Sequence, residues 1–167
     1  MFYDERLETL EDNFENNSRL IRRKKQLGFL EEKLTITAIS GPTGIGKTAS
    51  VRDFAKRKNF KMMTIDCSFE PANHLAIYLH NSIVDIEKSR IDGCVLLLDF
   101  INEANDEFNE IIEQYRSNYL DLDIKVHAVD ENRNLIRDES GDLIPEYFKV
   151  SYKALPENIF IVGEMRA

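Results

Sequence analysis

The residues with the clearest chemical potential form a glycine-rich run, Gly41-Pro42-Thr43-Gly44-Ile45-Gly46-Lys47-Thr48. It fits the pattern G-x-x-x-x-G-K-[ST], whose glycines let backbone N–H groups turn toward phosphate oxygens. In that pattern the Lys47 ammonium reaches the β- and γ-phosphates, and the Thr48 hydroxyl coordinates Mg²⁺. The run therefore predicts a site for a nucleoside triphosphate, with Ala49 as its last contact residue.

A carboxylate at the end of an apolar run is the second candidate. Residues 94–98 read Cys-Val-Leu-Leu-Leu, which is typical of a strand buried on both faces, and Asp99 follows directly. There the Asp99 carboxylate can bind Mg²⁺ opposite Thr48. The alternative is an ordinary aspartate that ends a strand. The phosphate-binding pattern earlier in the chain favours the metal-binding interpretation.

The elements around these residues predict how they are positioned. A β-prone run at residues 34–39 precedes the glycine-rich run and a helix at 47–57 follows it, so the positive end of that helix would face the phosphates. Strands and helices alternate along the rest of the chain, which predicts a parallel sheet with helices on both faces. The nucleotide should then lie beyond the carboxyl ends of the strands. The remaining predicted elements are strands at 61–66, 94–98 and 159–162, a helix that opens at Pro71, and a helix at 103–119.

Two helices are predicted before the first strand. Apolar residues at helical spacing indicate a helix over residues 4–16, and Asn16-Asn17-Ser18 is predicted to end it, with Ser18 as the N-cap of a second helix over 19–33. Gly28 is expected to bend or break that second helix. We therefore divide the chain into an N-terminal helical segment, 1–33, and a nucleotide-binding domain, 34–167.

The segment before the last strand has a different pattern. Two β-prone runs, 124–129 and 134–137, flank a polar turn and predict a β-hairpin. His127 is a lone histidine on the first of these runs, with no feature that marks it as a ligand or a base.

Composition narrows the class of protein. The chain has 167 residues, 43% of them hydrophobic, and a net charge of −8, which suits one globular domain and disfavours a general nucleic-acid binder. The basic cluster Arg22-Arg23-Lys24-Lys25 is the one segment that could face nucleic acid, although a solvated helix face is the simpler interpretation. Cys67 and Cys94 predict small buried residues rather than a disulfide framework. With no signal-peptide pattern and no apolar run of membrane-spanning length, we expect a cytoplasmic protein without a membrane partner.

Two further segments carry a family resemblance. The run Leu96-Leu97-Leu98-Asp99-Phe100-Ile101-Asn102-Glu103-Ala104-Asn105 resembles the Walker B region of AAA+ P-loop ATPases. More narrowly, it is similar to the clade that holds MoxR-type ATPases, the dynein and midasin modules and the GTP-dependent subunit of methyl-directed restriction systems. The run from Leu155 to Gly163 resembles the approach to that clade's sensor 1. The predicted hairpin occupies the place of its pre-sensor-1 hairpin.

The resemblance implies a P-loop three-layer α/β sandwich with a β-hairpin inserted before the sensor 1 strand. It implies ATP, with GTP as the alternative, together with Mg²⁺ at Thr48 and Asp99. It also implies an oligomer, either of identical subunits or with a different protein partner. The resemblance covers about residues 19–167 and stops before the family's fifth strand, arginine finger and helical lid. We therefore expect the edge of the first strand to be uncovered, covered by another element, or completed by a partner or a longer chain.

The sequence departs from the family at two catalytic positions. Phe100 stands where the family has the glutamate that polarises the attacking water. Glu103 is the nearest carboxylate that could replace it. Arg166 stands at the expected sensor 1 asparagine. The resemblance therefore assigns catalytic roles to Lys47 and Asp99 and offers Glu103 and Arg166 as further candidates.

Three functions remain open from the sequence. The first is an ATPase domain that couples binding or hydrolysis of Mg-nucleotide to remodelling or assembly of a partner. The second is a catalytically weak or inactive P-loop subunit with a structural or assembly role, which Phe100 favours. The third is a signalling-type P-loop ATPase, favoured by the basic helix that runs into the first strand and disfavoured by the run from Asn102 to Asn105.

Overall fold

Four parallel strands form the central sheet in the computed structural model, which describes residues 2–41 and 47–166. In space these strands lie in the order β1-β6-β3-β2, so β6 lies between β1 and β3. In chain order the elements are α1 (Phe2–Leu27), β1 (Thr37–Gly41), α2 (Lys47–Lys58), β2 (Lys61–Asp66), α3 (Ala72–Glu87), β3 (Cys94–Asp99), a 3₁₀ turn (Ile101–Glu103), α4 (Asp106–Arg116), β4 (Leu120–His127), β5 (Pro145–Tyr152) and β6 (Ile159–Arg166). The predicted parallel sheet is confirmed, although β1 begins three residues later than the sequence predicted.

Helices cover both faces of this sheet, as expected for the apolar central strands β3 and β6. Helices α1 and α2 pack on one face, and helices α3 and α4 pack on the other. Strand β3 is buried from Cys94 to Leu98, and β6 is buried from Ile159 to Glu164. The predicted three-layer α/β sandwich is therefore confirmed.

An aromatic cluster joins α1 to the first of these faces. The Phe14 ring packs edge-on against Phe54 of α2 and Phe160 of β6, with ring centroids 5.7 and 5.5 Å apart. Removing one buried ring of this kind costs about 3–5 kcal/mol. Helix α1 thus packs on the same core as the sheet. The division of the chain at residue 33 stays a prediction.

The predicted break in the N-terminal helix is wrong, because α1 runs without interruption from Phe2 to Leu27. Ser18 is buried inside the helix and is not its N-cap. Asn17 is 2% exposed, donates to the Thr35 carbonyl at 3.0 Å and accepts from the Thr35 N–H at 2.9 Å. Its polar side chain therefore binds a neighbouring segment instead of ending its own helix. The helix ends before Gly28, whose φ of 84° suits glycine.

The predicted helix over 103–119 is also wrong in its bounds. The chain first makes the 3₁₀ turn, and α4 begins only after Asn105, whose side chain accepts from the Phe108 N–H at 3.0 Å. An N-cap of this kind fixes the start of a helix. Helix α4 ends at Arg116, and Asn118 adopts a φ of 59°, which reverses the chain toward β4. Residues after Arg116 were predicted as helix because their apolar spacing continued.

The hairpin before β6 is present, but its strands pair differently from the prediction. Strand β4 pairs antiparallel with β5, which begins at Pro145, whereas residues 134–137 make only isolated bridges. The reason lies in two aspartate turns. Asp130 accepts from the N–H groups of Asn132 and Asn134, and Asp138 does the same for Ser140 and Asp142. These turns hold the intervening residues in a compact loop instead of a regular strand.

Two smaller expectations concern cysteines and membranes. Cys67 and Cys94 are free and buried, as predicted, and burial raises the pKa of the Cys94 thiol to about 11. In the part of the chain that the structure describes, no helix combines the length and the apolar character that a bilayer crossing would need.

Candidate nucleotide site

The glycine-rich run joins the carboxyl end of β1 to the amino end of α2. Strand β1 ends at Gly41, with a φ of 136° that favours glycine, and α2 begins at Lys47. The strand and the helix that the motif needs are therefore both present. Five predicted contact residues, Pro42, Thr43, Gly44, Ile45 and Gly46, lie outside the described residues.

Three carboxylates lie side by side where the parallel strands end. Asp66 of β2 is in register with Asp99 of β3, and Asp99 is in register with Glu164 of β6. Strand side chains alternate between faces. Asp99 and Glu164 therefore share the face of Leu97 and Val162, which pack in the core beneath α2. The row points toward the side of the sheet that carries α2.

Thr48, in the first turn of α2, makes direct contact with this row. Its hydroxyl lies 3.1 Å from Oε2 and 3.3 Å from Oε1 of Glu164, which is only 1% exposed. Because Glu164 is the strand neighbour of Asp99, the two predicted magnesium ligands lie at the same edge of the sheet. Thr48 and the carboxylates of Asp99 and Glu164 therefore lie on the same side of a parallel α/β sheet.

The chain turns sharply directly after Asp99. The Phe100 N–H donates to Oδ1 of Asp99 at 3.0 Å, and Phe100 itself has φ 55° and ψ 42°. A bulky residue in this left-handed conformation costs of order 1–3 kcal/mol. The half-buried phenyl ring therefore occupies, on a strained turn, the position where the family resemblance expects a catalytic glutamate.

The other predicted catalytic residues lie around this turn. Glu103 is exposed at the end of the 3₁₀ turn, and its N–H donates to the Phe100 carbonyl at 2.9 Å. Arg166 ends β6, and its backbone pairs with Gly41. The side chains of Lys47 and Arg166 lie outside the part of the chain that the structure describes. Ala49 is exposed on α2. The roles of all four residues stay predictions.

The donor atoms at this edge suit a hard cation. Thr48 supplies a hydroxyl oxygen, and Asp99 and Glu164 supply carboxylate oxygens, the ligand type that Mg²⁺ prefers. Within residues 2–41 and 47–166, no group of three or more His, Cys, Asp or Glu side chains is placed to hold a metal ion. Mg²⁺ in phosphate-binding proteins needs only one or two carboxylates, because phosphate oxygens and water complete its shell.

The thiol of Cys67 reports the negative field of this edge. Cys67 follows β2, and its N–H donates to the Asp99 carbonyl at 2.9 Å. Burial raises its pKa to about 12, with further contributions from the charges of Asp66, Asp99 and Glu70. Burial is the largest of these effects, and the acidic side chains at the ends of β2 and β3 add to it.

Sequence reasoning missed Glu164. The notable signal was a glutamate two residues after the apolar run 159–162, past Gly163. Its alignment with Asp99 depends on the pairing of β6 with β3, and that pairing cannot be read from the spacing of residues along the chain.

The basic cluster on α1 makes contacts within the chain. Arg22 pairs with Glu157 at 2.9 Å, and Arg23 pairs with Glu31 at 3.0 Å. The Lys24 ammonium donates to the carbonyls of Asn118 and Lys153, and burial lowers its pKa. Most of this charge is therefore already engaged, and a nucleic-acid surface here gains no support.

Comparisons with known proteins gave structural matches only. No protein-family model and no curated protein matches the chain. Three structures of Thermotoga maritima RuvB are similar. A Lys-to-Arg variant has 14% identity and a TM-score of 0.44, a structure described as a Holliday junction branch migration motor has 16% and 0.43, and a Pro-to-Gly variant has 15% and 0.47. They cover 94%, 93% and 96% of this chain, which spans 39%, 38% and 39% of theirs. At TM-scores this low, the matches support no statement about the function of this chain.

Proposed function

We propose that the chain is an AAA+-type nucleotide-binding domain that binds ATP, or GTP, together with Mg²⁺. The contact between Thr48 and Glu164, next to Asp99, carries this proposal. It brings the end of the phosphate-binding motif against the carboxylates that end β3 and β6. In the proposal, binding or hydrolysis of nucleotide drives the remodelling or assembly of a protein partner, and the domain works as an oligomer.

The residues divide the chemistry among them. Backbone N–H groups of residues 43–48 and the Lys47 ammonium would hold the phosphates, and the amino end of α2 adds a partial positive charge. Thr48 and Asp99 would hold Mg²⁺, which offsets charge on the phosphate oxygens. Phe100 has no proton acceptor, so it cannot orient or deprotonate an attacking water. We therefore expect slow turnover, with Glu103 and Arg166 as candidate contributors.

A second candidate is a structural or assembly subunit in which nucleotide binding orders the domain without turnover. The Phe100 side chain at the end of β3 favours it. The two candidates differ in one measurable quantity, the steady-state release of phosphate by the wild-type protein. Release that Lys47→Ala abolishes supports the ATPase. Binding without release supports the structural subunit.

Nucleotide binding itself is tested with the Lys47→Ala variant and a fluorescent ATP analogue. Loss of a charged hydrogen bond to phosphate costs about 3 kcal/mol, so we expect roughly 100-fold weaker binding. Lys56→Ala is the matched control, because Lys56 is exposed in the last turn of the same helix. The control should bind like wild type. A wild-type protein that binds neither ATP nor GTP, or equal affinities for wild type and Lys47→Ala, would contradict the proposal.

A further inference from the structure

We propose that Glu164 is a positioning residue of the magnesium site, which orients the Thr48 hydroxyl and adds a second carboxylate charge beside Asp99. The inference rests on the proposed function, because it assigns a role toward the Mg²⁺ of the same nucleotide. It differs from the family resemblance, which places no carboxylate at this point of the sensor 1 strand.

The hydrogen bond between Thr48 and Glu164 has a defined direction. A threonine hydroxyl has one hydrogen and two lone pairs, whereas an ionised carboxylate can only accept. The Thr48 hydroxyl must therefore donate to Glu164, at 3.1 Å from Oε2. This leaves the oxygen lone pairs of Thr48 available to a cation. Outer partners that fix the orientation of a metal ligand in this way typically strengthen metal binding.

The second step concerns charge. Glu164 is 1% exposed and lies in register with Asp99 on the next strand, at the roughly 4.8 Å spacing of paired strands. Both carboxylates would attract a divalent cation held at Thr48. Glu164 therefore adds negative charge on the side of the sheet where the proposed Mg²⁺ would bind.

The competing explanation is purely structural: the hydrogen bond could serve only to fasten α2 to β6. Glu164→Gln separates the two explanations, because the glutamine amide oxygen can still accept from Thr48 while the charge is lost. A fastening role would survive this change. A role toward Mg²⁺ would not.

The test is the affinity for a fluorescent ATP analogue, measured across a series of Mg²⁺ concentrations and in excess EDTA. For Glu164→Gln we expect the Mg²⁺ concentration at half-maximal effect to rise by about 10- to 100-fold. The affinity in EDTA should stay that of wild type, because no metal is present to lose.

Asp66→Asn is the matched control. Asp66 stands in the same row of carboxylates, but its Oδ1 accepts from the Ser68 N–H at 2.9 Å and from the Ser68 hydroxyl. Its variant should follow the wild-type Mg²⁺ dependence. Glu164→Asp keeps the charge on a shorter side chain and should shift the titration in the same direction by a smaller factor, which provides a second test if the glutamine variant does not fold.

The outcomes separate this inference from the proposed function. If the wild type binds the analogue only in the presence of Mg²⁺ and Glu164→Gln shows the same Mg²⁺ dependence, the inference is overturned and the proposed function stands. Equal losses with Mg²⁺ and in EDTA, in a variant with the wild-type circular dichroism spectrum, would also overturn it. Failure of the wild type to bind the analogue under any condition removes the proposed function, and this inference with it.

Discussion

At the amino ends of β2 and β3 the sheet is closed by ring packing and backbone hydrogen bonds, whereas at their carboxyl ends carboxylates lie side by side. At the amino ends, Gly93 leaves room for the Phe60 ring, and its carbonyl accepts from the Lys61 N–H at 3.0 Å. At the carboxyl ends, Asp99 and Glu164 are neighbours on adjacent strands. One end is therefore closed by packing and backbone hydrogen bonds, and the other gathers acidic side chains on the side of the sheet that carries α2.

This difference shows how one sheet serves stability and binding separately. Closing the amino ends fixes the strands in register. The carboxyl ends can then hold arrangements that cost free energy, such as the left-handed Phe100 and the buried Glu164. We expect substitutions at the amino ends to change unfolding alone, and substitutions at the carboxyl ends to change nucleotide chemistry.

The largest expected effect is at the carboxyl end, on turnover. Phe100→Glu places a carboxylate where the family resemblance expects the general base, and general bases typically contribute about 10²- to 10⁴-fold. We expect the steady-state rate of phosphate release to rise by about 10²-fold. The backbone conformation should tolerate the change, since both residues carry a Cβ in the left-handed region.

Phe100→Gln is the control for this substitution, because it has similar polarity and size to glutamate but cannot accept a proton at neutral pH. Its rate should remain near that of wild type. Phe100→Glu protein that binds the ATP analogue normally and gains no rate would show that this turn does not direct position 100 at the nucleotide.

The next largest effect is at the amino end, on stability. A Cβ on Gly93 would lie 2.5 Å from Cε1 of the Phe60 ring and 2.6 Å from the Asn158 carbonyl oxygen. Neither a packed ring nor a backbone carbonyl moves easily, so Gly93→Ala should lower the free energy of unfolding by about 3 kcal/mol. Urea unfolding measures this, and the ATP affinity of the folded variant should be unchanged.

Gly163→Ala is the matched substitution at the other end. There the three atoms nearest the added Cβ all belong to Ile101, with Cδ1 at 2.6 Å, Cγ2 at 3.0 Å and Cβ at 3.3 Å, and the closest of them is the flexible end of the side chain. The stability loss should be smaller, about 1 kcal/mol, and nucleotide turnover should change because Ile101 follows Phe100. Equal stability losses for the two alanine variants would contradict the distinction between the ends.

The sequence predicted the sheet well because its strands are distinctive. A run such as Cys94 to Leu98 can only be buried on both faces, and the glycine-rich run fixes the strand and the helix on either side of it. The site was predictable in part for the same reason: Thr48 and Asp99 each lie at a fixed point of a recognisable motif. Glu164 was not, because its place depends on which strands become neighbours.

The errors in the helices and the hairpin share a physical cause. Asn17, Asn105 and Asn118 are the same residue type and share the same intrinsic conformational preferences. Asn17 binds a distant segment from inside a helix, Asn105 caps a helix, and Asn118 reverses the chain. Which of these an asparagine does depends on the groups that tertiary packing brings near it. The sequence around Asn17 indicated a helix break, and only the Thr35 backbone beside α1 explains its absence.

Asn17 offers the most specific test of the comparison, because Thr35 precedes β1 at the amino end of the sheet. Asn17→Ala would leave the Thr35 N–H and carbonyl without their side-chain partners, which costs about 2 kcal/mol. In a chain of this size the thermal midpoint should fall by roughly 4–8 °C.

Asn16→Ala is the control, since the Asn16 side chain accepts from its helix neighbour Arg19 and should change stability by no more than about 0.5 kcal/mol. Because Asn17 lies far along α1 from the phosphate-binding end of the strands, the folded variant should bind the ATP analogue like wild type. A variant that melts normally but binds weakly would instead mean that α1 and β1 transmit a change from one end of the sheet to the other.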